Sequence, residues 1–296
     1  MGIDLPYVKD CEVKKILVIS GSRADFGLLE WPVKVLQEDK DFVVKERKIW
    51  GQSFNQAYET IKRELETLSP DLCLMLGDRY EILAAATTCH LLRIPIAHIG
   101  GGDVTEGSYD DAMRDAISRM AAIHFVTSTS AMARLSHMGF RNVHLVGNPG
   151  IDYIRNAPWK KERPILEPYV VVSYQAETID DQESEMHVGW IMGKIPSIKR
   201  VFINPNPDLG SKIIKETILQ IKRPQDIIYD FLPHADFLNL IFHCEEFIGN
   251  SSSMLYEAPE LGVKTRMIGK RQKGRTIPMG DGFASQRIAK ILKYTA

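Results

Sequence analysis

Short runs of aliphatic and β-branched residues alternate along the chain with longer segments whose apolar positions recur at helical spacing. Ile16–Ser20, Val43–Ile49, Leu72–Leu76, Ile96–Ile99, Ile123–Val126 and Val143–Val146 read as buried strands. Helices fall between them, one leading out of the GSRADFG loop, then Phe54–Leu68, Tyr80–Leu92, Asp110–Ala121, and one from Thr129. The stretch GNPGIDYIRNAPWKKERPILEP is rich in Pro, Gly and charge and reads as a linker. Beyond it the alternation restarts, with YVVVSY, KRVFINPN, DIIY, EEFIGN and TRMIGK as strands. Asp181–Met192, Ser211–Gln220, Asp236–Cys244, Ser252–Leu261 and Ala284–Leu292 are the helices of this second part. The pattern predicts two α/β domains, residues 1–156 and 157–296, each a doubly wound parallel sheet with helices on both faces. A ligand then belongs in the crevice between them, at the carboxyl ends of the strands.

A chain of 296 residues has room for two such domains. Its net charge of −1 leaves no broad basic face, so nucleic acid is not an expected partner. No apolar run approaches the ~20 residues of a membrane span, and the opening MGIDLPYVKDCEVKK lacks the apolar core of a signal peptide. The four cysteines show no CxxC pairing, and Cys73, inside an apolar run, reads as a small buried thiol. A cytoplasmic protein without membrane attachment is expected.

Candidate chemistry gathers in loops that follow strands. In IGNSSSMLYEAPELG, Gly249-Asn250 end a strand and Ser251, Ser252 and Ser253 begin a helix. Free N–H groups and hydroxyls there suit a phosphate, and Glu257 further on could accept from both hydroxyls of a ribose; a plain serine cap and a surface glutamate fit the same string. GKRQKGR concentrates Lys270, Arg271, Lys273 and Arg275 after another strand, either as a grip on a diphosphate or as a solvated basic loop. Arg23 follows the first strand and the Asp78-Arg79 pair the third. In HIGGGDVTEGSYDDAMRDAI, Asp103, Glu106, Asp110 and Asp111 crowd a glycine turn and a helix start, as proton-transfer groups or as helix-terminus charges. His98 ends an apolar strand and reads as a core histidine; with no second ligand at helical spacing, no metal is expected. Neither a GxGxxG nor a P-loop string occurs.

Taken in order, GSRADFG, LGDRYEILAAA, AHIGGGDVTEGSYDDAMRDAIS, VGNPGID, NPNPDLGS, GNSSSMLYEAP and IGKRQKGR resemble the UDP-N-acetylglucosamine 2-epimerase family, in particular its hydrolysing, sialic-acid-pathway branch. The resemblance implies a GT-B fold closing on a UDP-sugar, without metal or redox cofactor, in a homo-oligomer (dimer or tetramer). It implies that Ser251 and Ser252 hold the diphosphate with Arg23 and Arg271 as cationic partners. Glu257 would take the ribose, Asn206 and Asp208 would lie near the cleft, and Asp78, Arg79 and Asp110 at the catalytic centre.

The string also departs from the family. Gly100 stands where a glutamate or another polar residue follows His-Ile, Gln175 where the Tyr-His-Pro segment has histidine, Ser53 near a third family histidine, and Leu28 where a lysine is frequent. The chain is also shorter than typical members. Asp103, Asp110 or Glu177 is left to supply the base, with Asp103 within roughly 10 Å of Gly100 along an extended chain. An epimerase is the first expectation. A nucleotide-sugar-binding homologue with altered catalysis, or a GT-B glycosyltransferase, is the alternative.

Overall fold

A computed structural model describes residues 13–105, 109–177, 189, 198–206, 210–275, 277 and 279–295. The helix expected at Asp181–Met192, apart from Gly189, and the candidate residues Glu106 and Asp208 lie outside the described residues. Strands β1 (Lys14–Ser20), β2 (Phe42–Lys48), β3 (Leu72–Leu76), β4 (Ile96–Ile99), β5 (Ile123–Val126) and β6 (Val143–Leu145) form a six-stranded sheet in the order β2-β1-β3-β4-β5-β6. Strands β7 (Tyr169–Ser173), β8 (Lys199–Ile203), β9 (Ile227–Tyr229), β10 (Glu246–Gly249) and β11 (Thr265–Met267) form a second sheet, ordered β11-β10-β7-β8-β9. Every pairing in both is parallel.

Helices cover both faces, which is why the inner strands are mostly apolar and buried. IAHI of β4 and IHFV of β5 are buried at every position, whereas edge strand β2, FVVKERK, carries charge. The helices are α1 (Arg23–Glu38), α2 (Phe54–Leu68), α3 (Tyr80–Leu91), α4 (Asp110–Met120), α5 (Thr129–His137), α6 (Pro149–Asn156), α7 (Ser211–Ile221), α8 (His234–Phe242), α9 (Glu257–Glu260) and α10 (Ala284–Tyr294). Ser22 caps α1, and Ser53 caps α2 in a reciprocal box with Gln56.

Two expectations are corrected. The stretch read as a linker begins with α6, buried from Pro149 to Ile154. Its Pro and Gly start a helix instead of interrupting one, because proline is pre-set for the first helical turn and the Asn148 side chain accepts from Gly150 N at 3.0 Å. Second, the helix expected over Ser252–Leu261 is a 3-10 turn, Ser252–Met254, followed by the short α9. Pro259 has no N–H, so one continuous helix would leave the Leu255 carbonyl without its bond; Tyr256, with φ −139°, breaks the run.

The strands of the two sheets divide between Leu145 and Tyr169, but α10 crosses back. Its Ile288 and Leu292 are buried in the same apolar cluster as Ile16 and Leu74. The Asp152 carboxylate on α6 fastens its start, accepting from Ala284 N at 3.1 Å and from Ser285 N and Oγ at 2.5 and 2.6 Å.

Strand order reverses between β1 and β3 in the first sheet and between β7 and β10 in the second. At such switch points the loops at the carboxyl ends part and leave a crevice. Here they are Gly21–Arg23 with Gly77–Arg79, and Tyr174–Glu177 with Asn250–Ser253. Gly249 permits the second to close tightly: with φ 141°, a Cβ there would sit 1.9 Å from Ser173 O.

Candidate active site

The first half contributes a carboxylate cluster organised by one buried arginine. Arg114 on α4 is 2% exposed; it pairs with both Asp78 and Asp111 and donates to Asp103 O at 2.7 Å and Thr105 Oγ1 at 3.3 Å. Asp111 in turn accepts from Thr105 N at 3.0 and 3.1 Å, closing the GGGD loop onto the helix start. The environments then separate Asp78 from Asp103. Burial would lift the Asp78 carboxyl, but the Arg114, Arg275 and Arg271 guanidiniums outweigh it and hold it below the usual carboxylate range. Burial lifts the Asp103 carboxyl, and Arg275, Arg114 and a 3.2 Å bond from Thr127 Oγ1 only partly oppose it. One carboxylate kept ionised beside one of raised proton affinity is an arrangement fit for proton transfer. Asp110 starts α4 next to this cluster. Arg79 forks onto the buried Glu81 at 3.1 and 3.3 Å.

Asp25 lies beneath these groups, between Gly21 and Gly77. Burial, opposed by Arg79, pushes its carboxyl up to about 7, and Oδ2 has no hydrogen-bond partner among the described residues. The folded state therefore holds a proton between pH 3.8 and about 7 that the unfolded chain releases. Stability present below that window is lost as pH rises through it. Urea unfolding at about pH 5 and about pH 8 should show the wild type losing a few kcal/mol more than Asp25→Asn. Parallel losses in the two proteins would remove Asp25 as the cause.

The second half contributes loops tied into one frame. The Asn250 side chain accepts from Gln175 N at 2.6 Å and donates to Gln175 O at 2.8 Å. Gln175 Oε1 accepts from Asn206 N at 2.9 Å, and Gln272 Nε2 donates to Asn250 O at 3.0 Å. Glu177 Oε1 accepts from Tyr174 Oη at 3.0 Å and Lys270 N at 2.8 Å, while an Arg271 guanidinium nitrogen donates to Ala176 O at 2.5 Å. Gly269, with φ +80°, is required at the joint, since a Cβ would lie 1.9 Å from Glu177 Oε1. Glu177 is thus a buried brace of the basic loop. Ser251 Oγ accepts from Ser253 N at 3.4 Å, and Ser252 opens the 3-10 turn beside it. Buried Arg275 Nε and Gln272 Oε1 have no hydrogen-bond partner among the described residues.

Arg23 sets its guanidinium 4.5 Å from the Phe231 ring beyond β9, bridging the two halves. Glu257 is buried with Oε1 2.6 Å from His234 Nε2. His98 has both ring nitrogens engaged, Nε2 with Gly77 O at 2.8 Å and Nδ1 with Ser118 Oγ at 3.1 Å, and burial pushes it down to about 4. The candidates thus gather along the two sets of strand-end loops. Arg114, Asp25 and His234 went unread in the sequence, although an arginine three and four residues after paired aspartates was a usable signal.

Two parallel-sheet halves presenting facing strand-end loops make this a GT-B protein. Residues 35–278 match the family described as UDP-N-acetylglucosamine 2-epimerase, and the chain belongs to it. A GDP/UDP-N,N'-diacetylbacillosamine 2-epimerase (hydrolyzing) of Campylobacter jejuni is 29% identical over 82% of this chain, spanning 66% of that protein's length. The polysialic acid biosynthesis protein P7 of Escherichia coli is 27% identical, over 89% of this chain and 80% of its own. The structure of the Methanocaldococcus jannaschii UDP-GlcNAc 2-epimerase, in complex with UDP-GlcNAc and UDP, superposes with a TM-score of 0.78 at 17% identity, covering 95% of this chain and 100% of that one. Among the described residues no helix is long and apolar enough to cross a membrane, and no three His, Cys, Asp or Glu group to hold a metal ion.

Proposed function

We propose that this protein is a hydrolysing UDP-N-acetylhexosamine 2-epimerase, with its cleft between halves divided at residues 156/157. The observation that carries the reading is electrostatic: Arg271 and Arg275 of the second half lie within charge range of Asp78, and Arg275 also of Asp103, in the first. A diphosphate held at the arginines would set its sugar against the carboxylates. Arg23, Ser251, Ser252 and Arg271 receive the diphosphate in this reading, Glu257 the ribose, and Asn206 the approach to the cleft. The name of the Campylobacter relative favours a nucleotide-linked N-acetylated sugar.

In the reaction a base takes the proton from sugar carbon 2 as the bond from carbon 1 to the diphosphate oxygen breaks. The C–H electron pair becomes the carbon 1–carbon 2 double bond, and UDP departs with the pair of the broken C–O bond. Water then adds hydroxyl to carbon 1 and a proton to the opposite face of carbon 2, releasing the free 2-epimer. Asp103 is the base of this proposal, Asp78 remains ionised, and the arginines stabilise the departing charge. Gln175 braces the β8 loop, since a neutral amide cannot carry a proton in the way histidine does.

Proton NMR of a reaction in deuterated water should show deuterium at carbon 2 of the released sugar. Arg271→Ala should weaken UDP binding about 10–100-fold in calorimetry, through loss of a charge-assisted contact. UDP binding without product or exchange would favour the second reading, a nucleotide-sugar-binding homologue, which the engagement of Gln175 by Asn206 supports. The proposal places the protein in the cytoplasm as a homo-oligomer.

A further inference from the structure

We propose that His234 is a positioning residue of the nucleoside subsite, holding the Glu257 carboxylate in the orientation that meets a ribose. The proposal rests on the reading of Glu257 given above. His234 Nε2 lies 2.6 Å from Glu257 Oε1, with the two side chains 10% and 4% exposed. A carboxylate there accepts, so Nε2 carries the hydrogen and donates. The buried Tyr256 hydroxyl is close enough to the same carboxylate to feel its charge, and a carboxylate with roughly four lone-pair positions keeps room for a ribose hydroxyl.

Packing fixes the imidazole. The Tyr153 ring on α6 lies 4.5 Å from it at an interplanar angle of 34°. Gly27 of α1 also packs against it: a Cβ there would come within 3.1 Å of His234 Cγ, so glycine allows the close approach. Nδ1 is buried and makes no hydrogen bond among the described residues. The ring is thus held by packing and spends its one donor on Glu257. Glu257 itself opens a helix of only four residues whose Ala258 is buried in one apolar cluster with Val171 and Phe247 of the second sheet, while Gly27 belongs to the first half. The ribose carboxylate is thereby set by a residue wedged between the halves, through the N–H that residue donates.

The test is calorimetric titration of UDP and of 2′,3′-dideoxyuridine diphosphate into the full chain and into two variants. The wild type should favour UDP by about tenfold or more, the scale of one buried hydrogen bond to a charged group. His234→Phe keeps a ring against Tyr153 but has no donor; it should lose most of that preference, binding UDP about tenfold more weakly and the dideoxy nucleotide as before. His234→Gln replaces the ring but offers an amide N–H at a similar reach and should restore the preference. Full discrimination in His234→Phe, or its loss in His234→Gln, would overturn the proposal. If the phenylalanine variant does not fold, His234→Ala, which also lacks the donor, takes its place with the same expectation. A wild type that binds both nucleotides equally would instead overturn the ribose reading of Glu257.

Discussion

Asp103→Asn should cut turnover by about 10²–10⁴-fold, the scale of one general acid–base group, while UDP affinity stays within about threefold. Asp103 is the carboxyl of the cluster that burial lifts, whereas Asp78 is held down by three guanidiniums. A base must be deprotonated to act, so the wild-type rate should fall as pH drops through the raised Asp103 value. That acid limb would lie above the usual carboxylate range and should vanish with the asparagine, which keeps the acceptor for Thr127 Oγ1. Single-turnover measurements of wild type, Asp103→Asn and Asp110→Asn across pH would decide it. Normal turnover in Asp103→Asn with a large loss in Asp110→Asn would move the base to the first residue of α4.

Arg114→Met is expected to destabilise the protein by about 3–5 kcal/mol, the cost of breaking a buried ion pair from one side. The substitution keeps most of the side-chain volume but strands the carboxylates of Asp78 and Asp111 and the carbonyl of Asp103. Arg114→Lys should recover only a fraction, because an ammonium cannot reproduce the planar fork that reaches two carboxylates at once. Equilibrium urea unfolding supplies the measurement. A loss under about 1 kcal/mol, the range of exposed pairs, would mean that the arginine does not organise the cluster. The same variant should lose turnover even where it is folded, since Asp103 would no longer be fixed.

These expectations depend on contacts of very different legibility in the sequence. Strand ends were readable because a buried run followed by Gly-Asp or Gly-Asn marks both the end of a strand and the loop after it. The basic GKRQKGR loop and the acidic loop after His98 stood out by composition alone. The α6 segment was not readable as a helix, since its proline and glycine carry the same signal in a linker as at a helix start. Its helical state rests on burial against α1 and α10. Nor did the Ser252 segment reveal its break, because Pro259 counts against a long helix only when its position within one is known.

The sequence by itself determined the alternation of strand and helix, the parallel sheets it implies, and the loops that bear chemistry, because each is written in residues close together along the chain. Only the tertiary structure decided how those loops are used. Arg114 meets Asp78 across 36 positions, Asn250 meets Gln175 across 75, and His234 meets Glu257 across 23. No local period records such pairs. They arise when helices and strands with their own reasons to form are packed together, and burial and the guanidiniums brought alongside then set which carboxylate is held ionised, which keeps its proton, and which side chain is spent on holding another in place.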